Sequence, residues 1–422
     1  MAQSAYNSAI REPSPLSSCR LCPRACRSDR LAGERGFCGA GALARVAAVS
    51  MHHGEEPPIS GTRGSGTVFF THCNMTCLFC QNYPISQLGN GREMDADTMA
   101  GELLRLQEKG AHNVNFVTPT CHAPQLANAV RAARECGFRI PVVYNTNGYD
   151  SLEALALLDG IVDIYLPDAK YRSSRLAKEI SGTPDYVEHN DAAIEEMVRQ
   201  TGFLALGKDG IATRGVLVRH LVLPGRVEET ERVLSHLASV FGSDLPLSLM
   251  GQYFPAFRAG STPGFKRKLA VKEYERAVAA AERLAFRNVF IQELPESGHF
   301  VGARSFPGPP CRLELLLAII SAPSARFCRF GCTIKCERFF HVERPCHTTL
   351  QESTSPFGIC LKDPRPDICL FPACRPKPRQ SKFTYSYRKN VGYVNDPWCC
   401  RKFRTSDKYD GLAGCSNIIG KF

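Results

Sequence analysis

From residue 67 onward, short runs of near-continuous apolar residues alternate with longer stretches in which apolar residues recur every three or four positions. The short runs cover residues 67–70, 114–117, 141–145, 162–168, 215–223, 245–253 and 288–292. The periodic stretches cover 97–109, 124–136, 152–159, 192–201, 228–241 and 272–285. Strands that are apolar on both faces and separated by amphipathic helices predict parallel β/α units. The expected fold class is therefore α/β, as a full or partial (β/α) barrel. No repeat of fixed period is visible.

The same pattern divides the chain into three zones. Residues 1–60 are loop-rich and hold four cysteines, residues 61–310 carry the β/α core, and residues 311–422 lose the alternation. From Ser321 onward lie ten of the 20 cysteines and the single tryptophan, Trp398. That composition reads as a disordered basic tail or as a stretch that is not authentic coding sequence. Cys328, Cys332 and Cys336 form a C-x3-C-x3-C group there, with no strand before it.

Charge narrows the function. The formal net charge is +11, but 18 Lys and Arg against 8 Asp and Glu lie from Ser321 onward, leaving 34 against 33 before it. The core is nearly neutral, so nothing there predicts a phosphate-contacting nucleic-acid surface. The first 18 residues contain no apolar signal core, and the longest aliphatic run, 313–320, is too short for a bilayer. Many cysteines at metal-ligand spacing in such a chain predict metal sites in a reducing, cytoplasmic compartment rather than disulfides, with no membrane partner.

Candidate chemistry is densest just after the first predicted core strand. Cys73-Asn-Met-Thr-Cys-Leu-Phe-Cys places Cys73, Cys77 and Cys80 on a loop at a strand's C-terminal end, where β/α barrels gather their chemistry. Three thiolates suit an iron–sulfur cluster with one iron left open. Half of a zinc site is the other reading, with His72 as a fourth ligand. The other predicted strands also end in polar residues: Thr118-Pro119-Thr120, Asn145-Thr146-Asn147-Gly148, Asp168-Ala169-Lys170, Arg219-His220 and Gln252-Tyr253. A series of such ends describes a ligand pocket, although Pro119 alone reads as a strand terminator and Asn147-Gly148 as a turn. Glu55 and Glu56 read by default as surface carboxylates, and His52 and His53 as a solvated pair. Cys19, Cys22, Cys26 and Cys38 make a second, complete ligand set, C-x2-C-x3-C-x11-C, for structural zinc or an auxiliary iron–sulfur cluster. Spacing does not decide between those two.

The C-x3-C-x2-C loop, with the aromatic Phe79 before its last cysteine, resembles the signature of radical S-adenosylmethionine (SAM) enzymes. Further stretches are similar to the branch containing the pyruvate formate-lyase-activating enzymes, in particular to homologues with an extra cysteine-rich N-terminus. They include Gly33-Glu-Arg-Gly-Phe-Cys, Glu55-Glu-Pro-Pro-Ile-Ser-Gly, Tyr144-Asn-Thr-Asn-Gly, Asp163-Ile-Tyr-Leu-Pro-Asp-Ala-Lys-Tyr and Arg219-His-Leu-Val-Leu-Pro-Gly. The resemblance spans roughly Cys19 to Gln292. It implies a 4Fe–4S cluster on Cys73, Cys77 and Cys80, with SAM on the open iron. Reductive cleavage to a 5′-deoxyadenosyl radical would then abstract hydrogen from a substrate, a protein glycine in the named branch. It further implies SAM contacts from Phe79, Thr118, Pro119, Thr120, Asn145, Asn147, Asp168, Lys170 and Arg219, and an unidentified electron donor. The Gly-Gly-Glu pattern of many relatives is replaced here by Thr118-Pro119-Thr120. The rival readings are a non-catalytic metal-binding protein and an electron carrier.

Overall fold

The structure, a computed structural model, describes residues 14–292 and 300–304. The expectations for the C-terminal zone, including Cys328, Cys332 and Cys336, concern residues outside that range.

Twelve strands are present among the described residues. In chain order they are β1 (Ala44–His52), β2 (Ser65–Phe70), β3 (Arg92–Met94), β4 (Val114–Val117), β5 (Val142–Thr146), β6 (Ile164–Pro167), β7 (Ala205–Leu206), β8 (Ala212–Val216), β9 (Val218–Leu221), β10 (Leu247–Met250), β11 (Val289–Gln292) and β12 (Phe300–Arg304). The first sheet runs β3-β1-β2-β4-β5-β6-β8-β7 and the second β12-β11-β10-β9. Strands β2, β4, β5, β6 and β8 pair in parallel, as do β9, β10 and β11. Only Leu217 separates β8 from β9, and its N–H still bonds the Tyr165 carbonyl. A backbone bridge between Asp168 and Arg219 carries the pairing on. The strands thus curve into a partial barrel that does not close, with β1 antiparallel to β2 and β12 antiparallel to β11.

The expected parallel strands and helices are all found, with ends shifted by a few residues. The run 215–223, read as one strand, is divided between β8 and β9. Helix starts follow local chemistry: the Asp95 carboxylate caps Thr98 N at 2.8 Å ahead of the helix Ala96–Glu108, and Ser151 and Ser173 cap the helices Leu152–Ala156 and Ser174–Ser181 in the same way. Two features were not expected in the loop-rich zone, the nine-residue strand β1 and the short helix Pro57–Ser60.

The main core lies between the outer helices and the sheet, where Val68, Phe70, Val114, Phe116, Val142 and Tyr144 are buried against Leu103, Leu106, Leu126 and Val130. A second cluster fills the strands' C-terminal end. There Met75, Leu78 and Phe79 of the cysteine loop pack with Tyr149, Tyr171, Tyr186, Leu223 and Tyr253. Burying a large side chain is worth about 1.5–3 kcal/mol, so the loop is anchored by its own apolar residues while its thiols face inward. Among the described residues no helix is long and apolar enough to cross a membrane.

Candidate active site

The cysteine loop begins where β2 ends and is gripped from both sides. Thr76 N and Leu78 N bond the carbonyls of Ser181 and Ile180 on the helix Ser174–Ser181, and the Asn74 side chain donates to the Tyr149 carbonyl at 2.6 Å. Each thiol has a polar neighbour. Asn147 Nδ2 donates to Cys73 Sγ at 3.3 Å, Ser181 Oγ donates to Cys77 Sγ at 3.0 Å, and Cys80 Sγ lies 3.1 Å from Ser86 Oγ. Burial is the main influence on all three and pushes their pKa values up, with mutual repulsion adding for Cys73 and Cys80; Cys80 reaches about 11. Lys170 opposes this at Cys77 and Cys80.

Three clustered, buried thiols that resist ionising have a stable anionic form only when a cation replaces their protons. Among the described residues no three His, Cys, Asp or Glu side chains are gathered as they would be around one metal ion. An iron–sulfur cluster instead spreads its thiolates over several irons. His72, the sequence-based candidate for a fourth zinc ligand, turns its Nδ1 to Thr71 Oγ1 at 2.6 Å.

The remaining expected site residues divide by neighbour. Phe79 is buried and packs on Tyr253, with ring centroids 5.7 Å apart. Asn147, in the loop after β5, reaches the cysteine loop, donating to Cys73 Sγ and Asn74 Oδ1 while its own Oδ1 accepts from Tyr149 N. Asn145 lies within β5, between Val117 and Leu166. Thr118 sits at φ +57°, an uncommon conformation for a β-branched residue. Pro119 opens the one-turn helix Thr120–His122. The Thr120 hydroxyl is committed to Asp150 at 2.8 Å. Asp168 and Lys170 are paired with each other, and Lys170 is largely buried. Burial works against its ammonium, but Asp168 and the thiols outweigh that and raise its pKa.

Arg219 points inward from β9, with Nη1 3.4 Å from Glu55 and Nε 3.2 Å from Glu56. Glu56 is 0% exposed, so the default reading of these glutamates as surface carboxylates is corrected. Burial, ahead of the opposing pull of Arg219, raises the Glu55 pKa. His220, the next residue on β9, faces the other way and bonds Thr230 and the Ala169 carbonyl.

Sequence reasoning passed over Asp150. Its buried carboxylate accepts from the hydroxyls of Thr120, Tyr144 and Thr146, fastening the loops after β4 and β5 to each other. Its place directly after Tyr144-Asn-Thr-Asn-Gly-Tyr was the available signal. Gly148 is equally constrained. At φ +75°, an added Cβ would strike the Asp168 carbonyl and the Asn190 side chain. Gly148→Ala is expected to destabilise by more than about 1 kcal/mol in chemical denaturation; a neutral result would show that the loop has room.

The uncharacterised proteins MJ0674 and MJ0808 of Methanocaldococcus jannaschii are 29% and 26% identical over 283 and 302 residues. The alignments cover 64% and 67% of this chain and 75% and 82% of those proteins. Among solved structures, HydG, a maturase of the FeFe-hydrogenase, aligns with a TM-score of 0.39 at 15% identity, covering 57% of this chain and 54% of HydG. Streptococcus suis SuiB bound to S-adenosylmethionine aligns with a TM-score of 0.34 at 13% identity, covering 49% and 44%. The chain thus spans about half the length of these solved chains. Residues 67–237, which include most of β2, the whole cysteine loop and the strands through β9, match the radical SAM superfamily.

Proposed function

We propose that this protein is a radical SAM enzyme whose 4Fe–4S cluster is held by Cys73, Cys77 and Cys80. The observation that carries the reading is the trio of buried, charge-deprived thiols at the strands' C-terminal end, inside the segment that matches the superfamily. When bound, the cluster supplies the electron that cleaves SAM to methionine and a 5′-deoxyadenosyl radical. The chain's own contribution is to hold, neutralise and enclose. Asn147 and Ser181 donate toward sulfur, which favours the thiolate form, and the Ser86 hydroxyl lies within hydrogen-bond reach of Cys80 Sγ. Lys170 supplies a buried positive charge beside Cys77. Phe79 and Tyr253 keep water from one side of the loop. The Asp150 network sets the loops bearing Thr118, Pro119, Thr120 and Asn147 against which SAM would rest.

The natural substrate class is one that gives up a hydrogen atom, and the branch resemblance points to a protein glycine. An external one-electron donor and a cytoplasmic setting complete the reading. Anaerobic reconstitution with iron and sulfide, followed by reductant and SAM, tests it. Formation of 5′-deoxyadenosine is expected, and its complete absence from fully loaded protein would refute the assignment.

A further inference from the structure

The N-terminal cysteines do not stand by themselves in this fold. Cys121, in the short helix that follows the Thr118-Pro119 turn, is 3% exposed, and its thiol lies within electrostatic reach of that of Cys38. It also lies within electrostatic reach of Cys22 and Cys73, and Cys22 within reach of Cys19 and Cys38. Cys26 is different. It is exposed, its Sγ is 3.6 Å from Ser28 Oγ, and Cys38 is within its electrostatic reach.

A second, independent observation marks the same place. Arg30 is 2% exposed and has no carboxylate partner among the described residues. Its guanidinium donates to the Gly41 carbonyl, to the Cys121 carbonyl at 2.8 Å and toward Cys19 Sγ at 3.9 Å. A buried cation without a counter-charge is costly. A metal–tetrathiolate centre carries net negative charge and would set it against this guanidinium, which already touches Cys19 Sγ and the Cys121 carbonyl.

We infer that Cys19, Cys22, Cys38 and Cys121 bind a thiophilic metal centre, either zinc or an iron–sulfur cluster, with Arg30 as its buried counter-cation. Cys121 takes the place that spacing along the chain gives to Cys26. As the side chains stand, no three are close enough to grip one ion, so binding draws them inward or spreads them over several irons. The consequence is mechanical. The centre ties the N-terminal segment to the loop that follows β4 and carries the candidate SAM contacts Thr118, Pro119 and Thr120. Three hydrogen bonds already seat that segment on the barrel: Arg24 to the carbonyls of Asn74 and Gly182, and Ser151 to that of Arg20.

The test uses the full chain with Cys73, Cys77 and Cys80 all changed to alanine, so that metal at the loop does not interfere and the outcome does not depend on SAM chemistry. After anaerobic loading with iron and sulfide or with zinc, bound metal is measured after desalting. One centre per chain is expected: either one zinc without labile sulfide, or about four irons with matching sulfide for a cube. Adding Cys121→Ala should remove it, and adding Cys26→Ala should leave it in place. Loss with Cys26→Ala and retention with Cys121→Ala would overturn the assignment, as would no bound metal in the starting variant. Cys121→Ala in the otherwise native chain guards against misfolding. It should still load the cluster at Cys73, Cys77 and Cys80 while losing the second centre; loss of both would point to collapse of the barrel rather than to a missing ligand, and would count against the assignment.

Discussion

Cys77→Ala should abolish 5′-deoxyadenosine formation and leave the loop unable to retain a stable cube. Cys77 is the middle thiol of three. It lies between Lys170 and Ser181, and burial holds its proton on when no metal is present. Removing it leaves Cys73 and Cys80, whose thiols then stand as two ligands for a cluster that needs at least three in this reading. Iron bound at this loop should fall from about four per chain toward zero, and product should fall by orders of magnitude. The fold should survive, because the loop is anchored by Met75, Leu78 and Phe79 rather than by sulfur. Iron and sulfide analysis beside circular dichroism separates the two effects. Product formed at the native rate by the alanine variant would remove these thiols from the account.

Arg219→Ala should be the most damaging change to stability within the barrel. Its guanidinium faces Glu55 and Glu56, both carboxylate oxygens of Glu56 have no hydrogen-bond donor, and the arginine itself is almost fully buried. Removing one member of a buried ion pair costs about 3–5 kcal/mol, because the remaining charge is stranded. Here two carboxylates would be stranded, although protonation of Glu55, already favoured by burial, relieves part of the cost. The sign with pH follows. Burial already holds the Glu55 pKa above the ordinary carboxylate value, and losing Arg219 removes the main opposing influence, so the variant's stability should be greatest at low pH and decline as pH rises from the ordinary carboxylate range toward that raised value. Denaturant titration of Arg219→Ala at two pH values measures both, and a loss under 1 kcal/mol with no pH dependence would contradict the pairing.

What the sequence disclosed followed the range of the interactions concerned. The parallel strands were legible because each is buried on both faces, which leaves a continuous apolar run. The cysteine loop was legible because its ligands lie within eight residues of one another. β1 was not recognised, since Ala44–His52 mixes small residues with Arg45 and Ser50 and is only partly buried. β3, three residues long with two exposed, offered too little pattern. Charged residues gave the least away. Glu56 follows a glycine and a glutamate and precedes two prolines, which describes a surface turn; its burial depends on Arg219, far along the chain. Lys170 looks like an ordinary exposed lysine until Asp168 and the thiols enclose it. Cys121 shows the same limit, because a partner 83 residues away from Cys38 leaves no local spacing to read.

The most direct test of the central claim is electron paramagnetic resonance of the anaerobically reduced protein, recorded with and without SAM. Iron left open by the Cys73, Cys77 and Cys80 ligand set predicts a cluster signal whose shape changes when SAM is added. A cluster signal identical in both samples would contradict direct SAM ligation at this loop.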